Sequence, residues 1–335
     1  MTPSIHKTVS SNTQADDSRS GIPPPFAKII RRQVDGVLLL DKPVGLSSTQ
    51  AMAAAKRLYR ADKAGHTGTL DPFATGLLPI CFGEAAKFSR FMLDAEKSYI
   101  ATLKLGEVSA TGDTEGEIIQ QREVNVTRDE IERVLTQFVG EQMQTPPMYS
   151  ALKQKGVALY KLARQGIEVP RTPRQIRVFS LSLISFEGNT LVIDTKVSKG
   201  TYIRTLAENI GEALNCGAHL TELRRTTTGG FDLSQSHTLD GLAALSEVER
   251  DGNLLRADSL CAVLTKIQLR HEDARIFSNG GWLPAPSAPS AYSSQSEPTS
   301  EYRVYAEDNR FLGIGEIAHA DNKSRLIPVR VMALH

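Results

Sequence analysis

One run, Gly65-His66-Thr67-Gly68-Thr69-Leu70-Asp71-Pro72-Phe73-Ala74-Thr75-Gly76-Leu77-Leu78-Pro79, constrains this chain more than any other. It sets one carboxylate, Asp71, among three glycines, three threonines and two prolines. Glycine and proline break both helix and sheet, so the composition predicts tight turns and neither a long helix nor an ordinary strand. A carboxylate framed in this way reads as one side chain presented in a fixed pose. The plainer reading is an Asp-Pro turn or a helix N-cap.

The chain is 335 residues long, 40% hydrophobic and 23% charged, which suffices for one large core and a smaller unit. Cys81, Cys216 and Cys261 stand far apart with no CxxC pair. That spacing argues against a disulfide framework or zinc site and suits a reducing cytoplasm. No apolar run approaches the roughly 18 residues a membrane span needs. The first 35 residues lack the apolar core of a signal peptide. A cytoplasmic protein without membrane contact is expected. There is no dinucleotide fingerprint, Walker loop or His/Cys cluster, so neither cofactor nor metal is expected.

Net charge is only +1, but it is unevenly spread. Residues 28–66 carry eight Lys/Arg against three Asp/Glu, and residues 141–230 carry twelve against seven. Residues 91–140 compensate with ten acids against five bases. Two basic segments flanking an acidic one can assemble a basic cleft, the footprint of a nucleic-acid binder. Ordinary surface scatter is the alternative.

Residues 1–33 read as a disordered tail, polar and closed by Pro23-Pro24-Pro25. Val37 to Leu40 predicts a buried strand ended by Asp41. A helix follows from Ser47, where Gln50 completes a capping box. Tyr99 to Leu105 alternates as a strand, with Tyr99, Ala101, Leu103 and Leu105 on one face. Thr127 caps a helix whose stripe is Ile131, Val134, Leu135 and Phe138, and Gly140 ends it. Leu191 to Val197 alternates again, and a helix is expected from about Thr205 to Leu214. Without a regular βαβ rhythm, the fold class is α+β, a mixed central sheet with helices, over residues 34–262. Short strand-like pieces in residues 263–335 predict a small β-barrel, interrupted by a Pro/Ser-rich insertion at 284–300.

Gly36 to Ser48 (GVLLLDKPVGLSS), Ala64 to Ser89, Met148 to Leu152 (MYSAL), Ala163 to Pro170 (ARQGIEVP), Ser198 to Arg204 (SKGTYIR) and Cys216 to Arg225 (CGAHLTELRR) closely resemble the TruB family. Those are the bacterial tRNA pseudouridine synthases that act on uridine 55 of the T-loop. The likeness runs from about residue 34 to 260. It implies the pseudouridine synthase fold, and the β-rich end resembles the family's PUA-type RNA-binding module. It also implies a cofactor-free isomerase that acts on the T-arm of tRNA; no obligatory protein partner is expected, and a monomer is expected.

Residue by residue, the resemblance makes Asp71 the nucleophile, Arg204 its cationic neighbour and Tyr99 the aromatic that stacks on the target base. Tyr202 and Leu223 match residues lining the uracil pocket, and His66 matches a histidine that contacts flipped bases. Lys42 is expected to support the catalytic loop or meet phosphate. Arg174, Arg177, Lys199, Arg224 and Arg225 are candidates for backbone phosphate or loop support. One departure stands out. Where the family often carries Thr-Asp-Thr-x-Asp, this chain reads Ser109-Ala110-Thr111-Gly112-Asp113, a change expected to bear on loop packing. Two rivals remain: an RNA-binding or tRNA-folding protein, and a guide-RNA-dependent synthase acting on ribosomal RNA.

Overall fold

The computed structural model describes residues 30–285, 301–320 and 323–333. The expected disordered tail and Pro/Ser-rich insertion fall almost wholly outside these residues. Nine strands build one sheet: β1 (Gly36–Lys42), β2 (Ala64–His66), β3 (Thr75–Phe82), β4 (Lys97–Leu105), β5 (Gly140–Gln144), β6 (Arg174–Glu187), β7 (Thr190–Val197), β8 (Ala218–Thr228) and β9 (Phe231–Asp232). Their order is β1-β3-β8-β4-β7-β6-β5, with β2 beside β3 and β9 beside β8. Pairing is parallel only between β3 and β8 and antiparallel elsewhere in this sheet. The fold is α+β with a mixed central sheet.

Three helices cover one face: α1 (Ser48–Leu58), α2 (Arg128–Gln137) and α3 (Ile203–Ala213). The α1 and α2 starts carry the expected capping boxes, Ser47 with Gln50 and Thr127 with Glu130. Each box satisfies two N–H groups that a helix terminus otherwise leaves unpaired. Helix α3 begins at Ile203, two residues before its expected start, because the amide of Gln144 secures its N-cap residue from outside. Gln144 Oε1 accepts from Tyr202 N at 2.8 Å, and Gln144 Nε2 donates to Tyr202 O at 3.1 Å.

The leucine run of β1 is buried on both faces. Leu38 and Leu40 join the core under the helices with Leu78, Ile80, Ala51 and Ala55. Val37 and Leu39 join a second core with Leu77, Cys81, Phe88 and Leu260. A strand covered on both sides reads as a continuous apolar run, which is why no alternation shows in this segment. Strand β1 continues through Asp41 and Lys42 by pairing with Leu77 and Gly76, so it outlasts the apolar run.

The Gly/Pro-rich run holds turns from Thr67 to Ala74, but from Thr75 it becomes β3, contrary to expectation. Pro79 is tolerated because β3 changes partner there. It meets β8 at Thr75 and Gly76 and β2 from Ile80 to Phe82. Pro79 lies between those pairings, where its missing N–H interrupts no ladder, while its carbonyl accepts from Thr67 N at 3.2 Å.

A second sheet carries β10 (Lys266–Leu269), β11 (Leu283–Pro284), β12 (Glu301–Ala306), β13 (Phe311–Ala320) and β14 (Lys323–Val331), ordered β10-β12-β13-β14-β11. It is a curled five-stranded half-barrel of the PUA-like kind, packed with helix α4 (His271–Ser278). Its Tyr305, Phe311 and Ile314 enter the same second core as Val37 and Leu77. The described residues from Arg31 onward therefore form one compact unit.

Candidate active site

Asp71 sits in the turn between β2 and β3, and that turn is fastened from below. Ser48 Oγ donates to Leu70 O at 2.9 Å and accepts from Leu70 N at 2.7 Å. Lys42 is fully buried, and its ammonium donates to the carbonyls of Leu46 at 2.6 Å and Pro43 at 2.9 Å, with Pro72 at 3.4 Å. Burial pushes Lys42 down to about 8, and Asp71 partly opposes that fall. A charge-assisted donor shared among carbonyls ties β1, the loop after it and the Asp71 turn into one body.

Helix α3 brings Arg204 to this turn. Its Nε lies 3.1 Å from Asp71 Oδ2 and its Nη1 lies 3.4 Å from Asp113 Oδ2. The same guanidinium donates to Thr111 O at 3.1 Å and Tyr149 O at 2.7 Å. Arg204 is only 5% exposed and Asp113 2%, whereas Asp71 keeps 35% of its side chain open. Asp113 is itself held, by the Thr111 hydroxyl and by Glu115 N. Arg204 thus has little freedom to turn away from Asp71.

Two opposed effects act on Asp71. Crowding by protein raises its carboxyl above the usual range, and Arg204 pulls it back. Asp113 adds to the rise and Lys42 to the fall. The opening toward the cavity explains how a carboxyl can be both desolvated and reachable.

That cavity has a volume of about 340 Å³, small enough for one flipped nucleotide-sized group to fill. Asp71, Tyr99, Tyr202, Arg204, Leu223 and Arg225 all line it. Tyr99 opens the core-facing stripe of β4, and Leu223 pairs in register with Ala101 of the same strand. Burial raises the Tyr202 hydroxyl. Five separated sequence candidates therefore meet Asp71 in one space.

The remaining candidates stand elsewhere. His66 lies on β2 outside the cavity lining, with Nδ1 buried and unpartnered among the described residues, and burial lowers its basicity. Arg224 bonds Asp41 Oδ2 at 2.7 Å and Thr75 Oγ1 at 3.3 Å, so it braces β1 and β3. Lys199 pairs with Asp94 at 2.8 Å on an exposed loop. Arg174 and Arg177 are exposed on β6, the latter stacked on Phe179.

The sequence names Asp113 only as the acid retained beside the Ala110 departure, with no role at the site, yet it is the second carboxylate on Arg204. Its signal was a lone acid in a Thr-Gly turn, which resembles any Asx turn. Gln144, Ser48 and Lys97 were missed altogether. Lys97 lies two residues before Tyr99 on the same face of β4, and that spacing was the available clue.

The TruB family pseudouridylate synthase N-terminal domain matches residues 56–203. The tRNA pseudouridylate synthase B C-terminal domain matches 204–265, and the C-terminal domain of pseudouridine synthase II TruB matches 265–332. A Chromobacterium violaceum protein named tRNA pseudouridine synthase B is 49% identical over 304 residues, covering 90% of this chain and 96% of its own. A Methylobacillus flagellatus protein of the same name is 48% identical over 289 residues, covering 86% and 93%. Among solved structures, a Cbf5-Nop10-Gar1 complex matches with TM-score 0.67 at 26% identity, over 89% of this chain and 84% of that one. An H/ACA RNP bound to a substrate RNA containing 2′-deoxyuridine matches with TM-score 0.65 at 25% identity, over the same shares. With these matches running nearly end to end and in one order, the chain belongs to the TruB family of pseudouridylate synthases.

Proposed function

We propose that this protein isomerises uridine to pseudouridine at position 55 in the T-loop of tRNA, with Asp71 as the nucleophile. The observation that carries the reading is the Asp71–Arg204 pair, 3.1 Å apart, opening into a cavity lined by Tyr99, Tyr202 and Leu223. The bond from C1′ to N1 of uracil breaks, the base turns, and C1′ joins C5. The C5 proton then leaves to solvent and N1 gains one, so no atom or electron is exchanged with a cofactor. A carboxylate nucleophile divides that rearrangement into two easier steps. The base must first leave its stack to reach an enclosed carboxylate.

Arg204 keeps Asp71 ionised against the desolvation of a filled cavity. Tyr99 stacks on the uracil, while Tyr202 and Leu223 complete its pocket. His66 meets neighbouring flipped bases near the loop. Lys42 and Arg224 support the loop through the contacts above, Arg225 supports it through Leu77 O and Gly68 O, and Arg174, Arg177 and Lys199 meet the RNA backbone. The PUA-like part adds binding surface for tRNA. The relatives named tRNA pseudouridine synthase B support tRNA as substrate.

The test is tritium release from C5-labelled uridine in an unmodified tRNA transcript. The protein alone should release tritium and Asp71→Asn should not. Substantial release by Asp71→Asn would remove the nucleophile assignment. The solved neighbours are a Cbf5-Nop10-Gar1 complex and an H/ACA RNP, which favours a second, partner-dependent reading. Release from bare transcript without added protein or guide RNA would exclude it.

A further inference from the structure

Two cations in the catalytic cavity lack a carboxylate partner among the described residues. Arg225 is 1% exposed and Lys97 9%, and both line the same cavity as Asp71. Their protons go to main-chain carbonyls. Arg225 Nε donates to Leu77 O at 2.7 Å and Nη2 to Gly68 O at 3.2 Å. Nη1 is left without a protein acceptor among the described residues. Lys97 Nζ donates to Ala95 O at 2.7 Å, and its other contacts, to Leu93 O and Met92 O, stretch to 3.4 and 3.5 Å.

The two side chains converge over Gly68. A methyl group there would lie 3.5 Å from Arg225 Nη1 and 3.6 Å from Lys97 Cε. Gly68 holds φ +134, a conformation other residues rarely adopt, so the loop passes beneath both cations with that space left open. Nearby acids are already engaged: Asp71 by Arg204 and Asp94 by Lys199. Burial, with Arg225 adding to it, pushes the Lys97 ammonium down to about 8. Two like charges buried together are costly unless an anion joins them.

We propose that Arg225 Nη1 and Lys97 Nζ form an anion subsite for one of the two phosphodiesters that flank the target uridine. The inference rests on the isomerase reading above and adds to it how the flipped nucleotide is held. A phosphodiester offers two non-bridging oxygens that share one negative charge, one oxygen for each donor, and arrives only with the substrate. The main-chain contacts of Lys97 keep its ammonium in place until then.

The test uses the full chain and three T-arm stem-loop RNAs. One is unmodified, and the others carry a neutral methylphosphonate on the 5′ or the 3′ side of the target. Wild type should bind one of the two modified RNAs about tenfold more weakly than the unmodified one. Lys97→Met should bind the unmodified RNA about as weakly, with no further loss at that same position. Equal losses by Lys97→Met on all three RNAs would make it a loop strut and overturn the proposal, as would equal wild-type affinity for all three. Competition by inorganic phosphate with no methylphosphonate effect would assign the site to the free ion and overturn the backbone assignment. Lys97→Met also takes the donor from Ala95 O, so affinities are compared on protein shown by its melting curve to be folded at the assay temperature, and Lys97→Gln replaces it if Lys97→Met is not. Tritium release by wild type is scored separately, so a protein that binds but does not turn over defeats the isomerase reading and leaves the coupling legible.

Discussion

Arg204 is held at its Nε by Asp71 and at its Nη1 by Asp113, with two carbonyls completing its shell. The arrangement makes sharp predictions for single side chains. Asp71→Asn should abolish isomerisation while tRNA affinity stays within about tenfold, or about 1.4 kcal/mol, as measured by tritium release and filter binding. The pH profile follows from the raised Asp71 carboxyl. Activity needs the ionised form, so kcat/KM should fall as pH drops through a value above the ordinary range near 3.9. Asp113→Asn removes a charge that raises Asp71 and should move this acid limb to lower pH. It should also lower the plateau, by about a hundredfold if Arg204 drifts by an ångström. A limb that stays in place would show that Asp113 acts only as a strut. Asp71 was legible in sequence because its turn chemistry is so unusual. Asp113 was not, because it acts through a contact with a residue ninety-one positions away, which no local pattern encodes.

Strand β3 carries the consequences at the scale of an element. Gly76 sits at its junction with β8, with φ +100 and Arg225 O only 2.3 Å from where a β-carbon would lie. Gly76→Ala should therefore cost about 3 kcal/mol or more, read from denaturant unfolding, since both backbone strain and a main-chain clash resist it. Lys42→Met should cost about 3 kcal/mol, because it leaves carbonyls that hold the Asp71 turn without their donor. Activity should fall further than the folded fraction does. Helix starts were the most readable elements, since a capping box is a contact between residues three apart. Helix α3 starts at Ile203 rather than at about Thr205, where Gln144, fifty-eight positions upstream of Tyr202, holds that N-cap residue by two hydrogen bonds. The strand at Thr75–Phe82 was hidden by Gly76 and Pro79, whose tolerance depends on which neighbour lies alongside.

Across the whole molecule, the second core joins β1 and β3 to Tyr305, Phe311 and Ile314 of the C-terminal sheet. Phe88 and Phe311 meet with ring centroids 5.1 Å apart. Phe311→Ala should cost about 3–5 kcal/mol and lower the melting of the entire chain in one transition. Two separate calorimetric transitions would show that the C-terminal sheet folds independently of the catalytic one. The sequence by itself determined the helix caps, the alternating strands, the absence of a cofactor motif and the turn that displays Asp71. Each of these is written in residues close together along the chain. The tertiary structure alone decided that Asp113 shares Arg204 with Asp71, that Gln144 holds Tyr202 at the start of α3, and that Lys97 and Arg225 converge over Gly68. Those contacts join distant segments, and their energies depend on burial, which exists only once the sheet has closed around them.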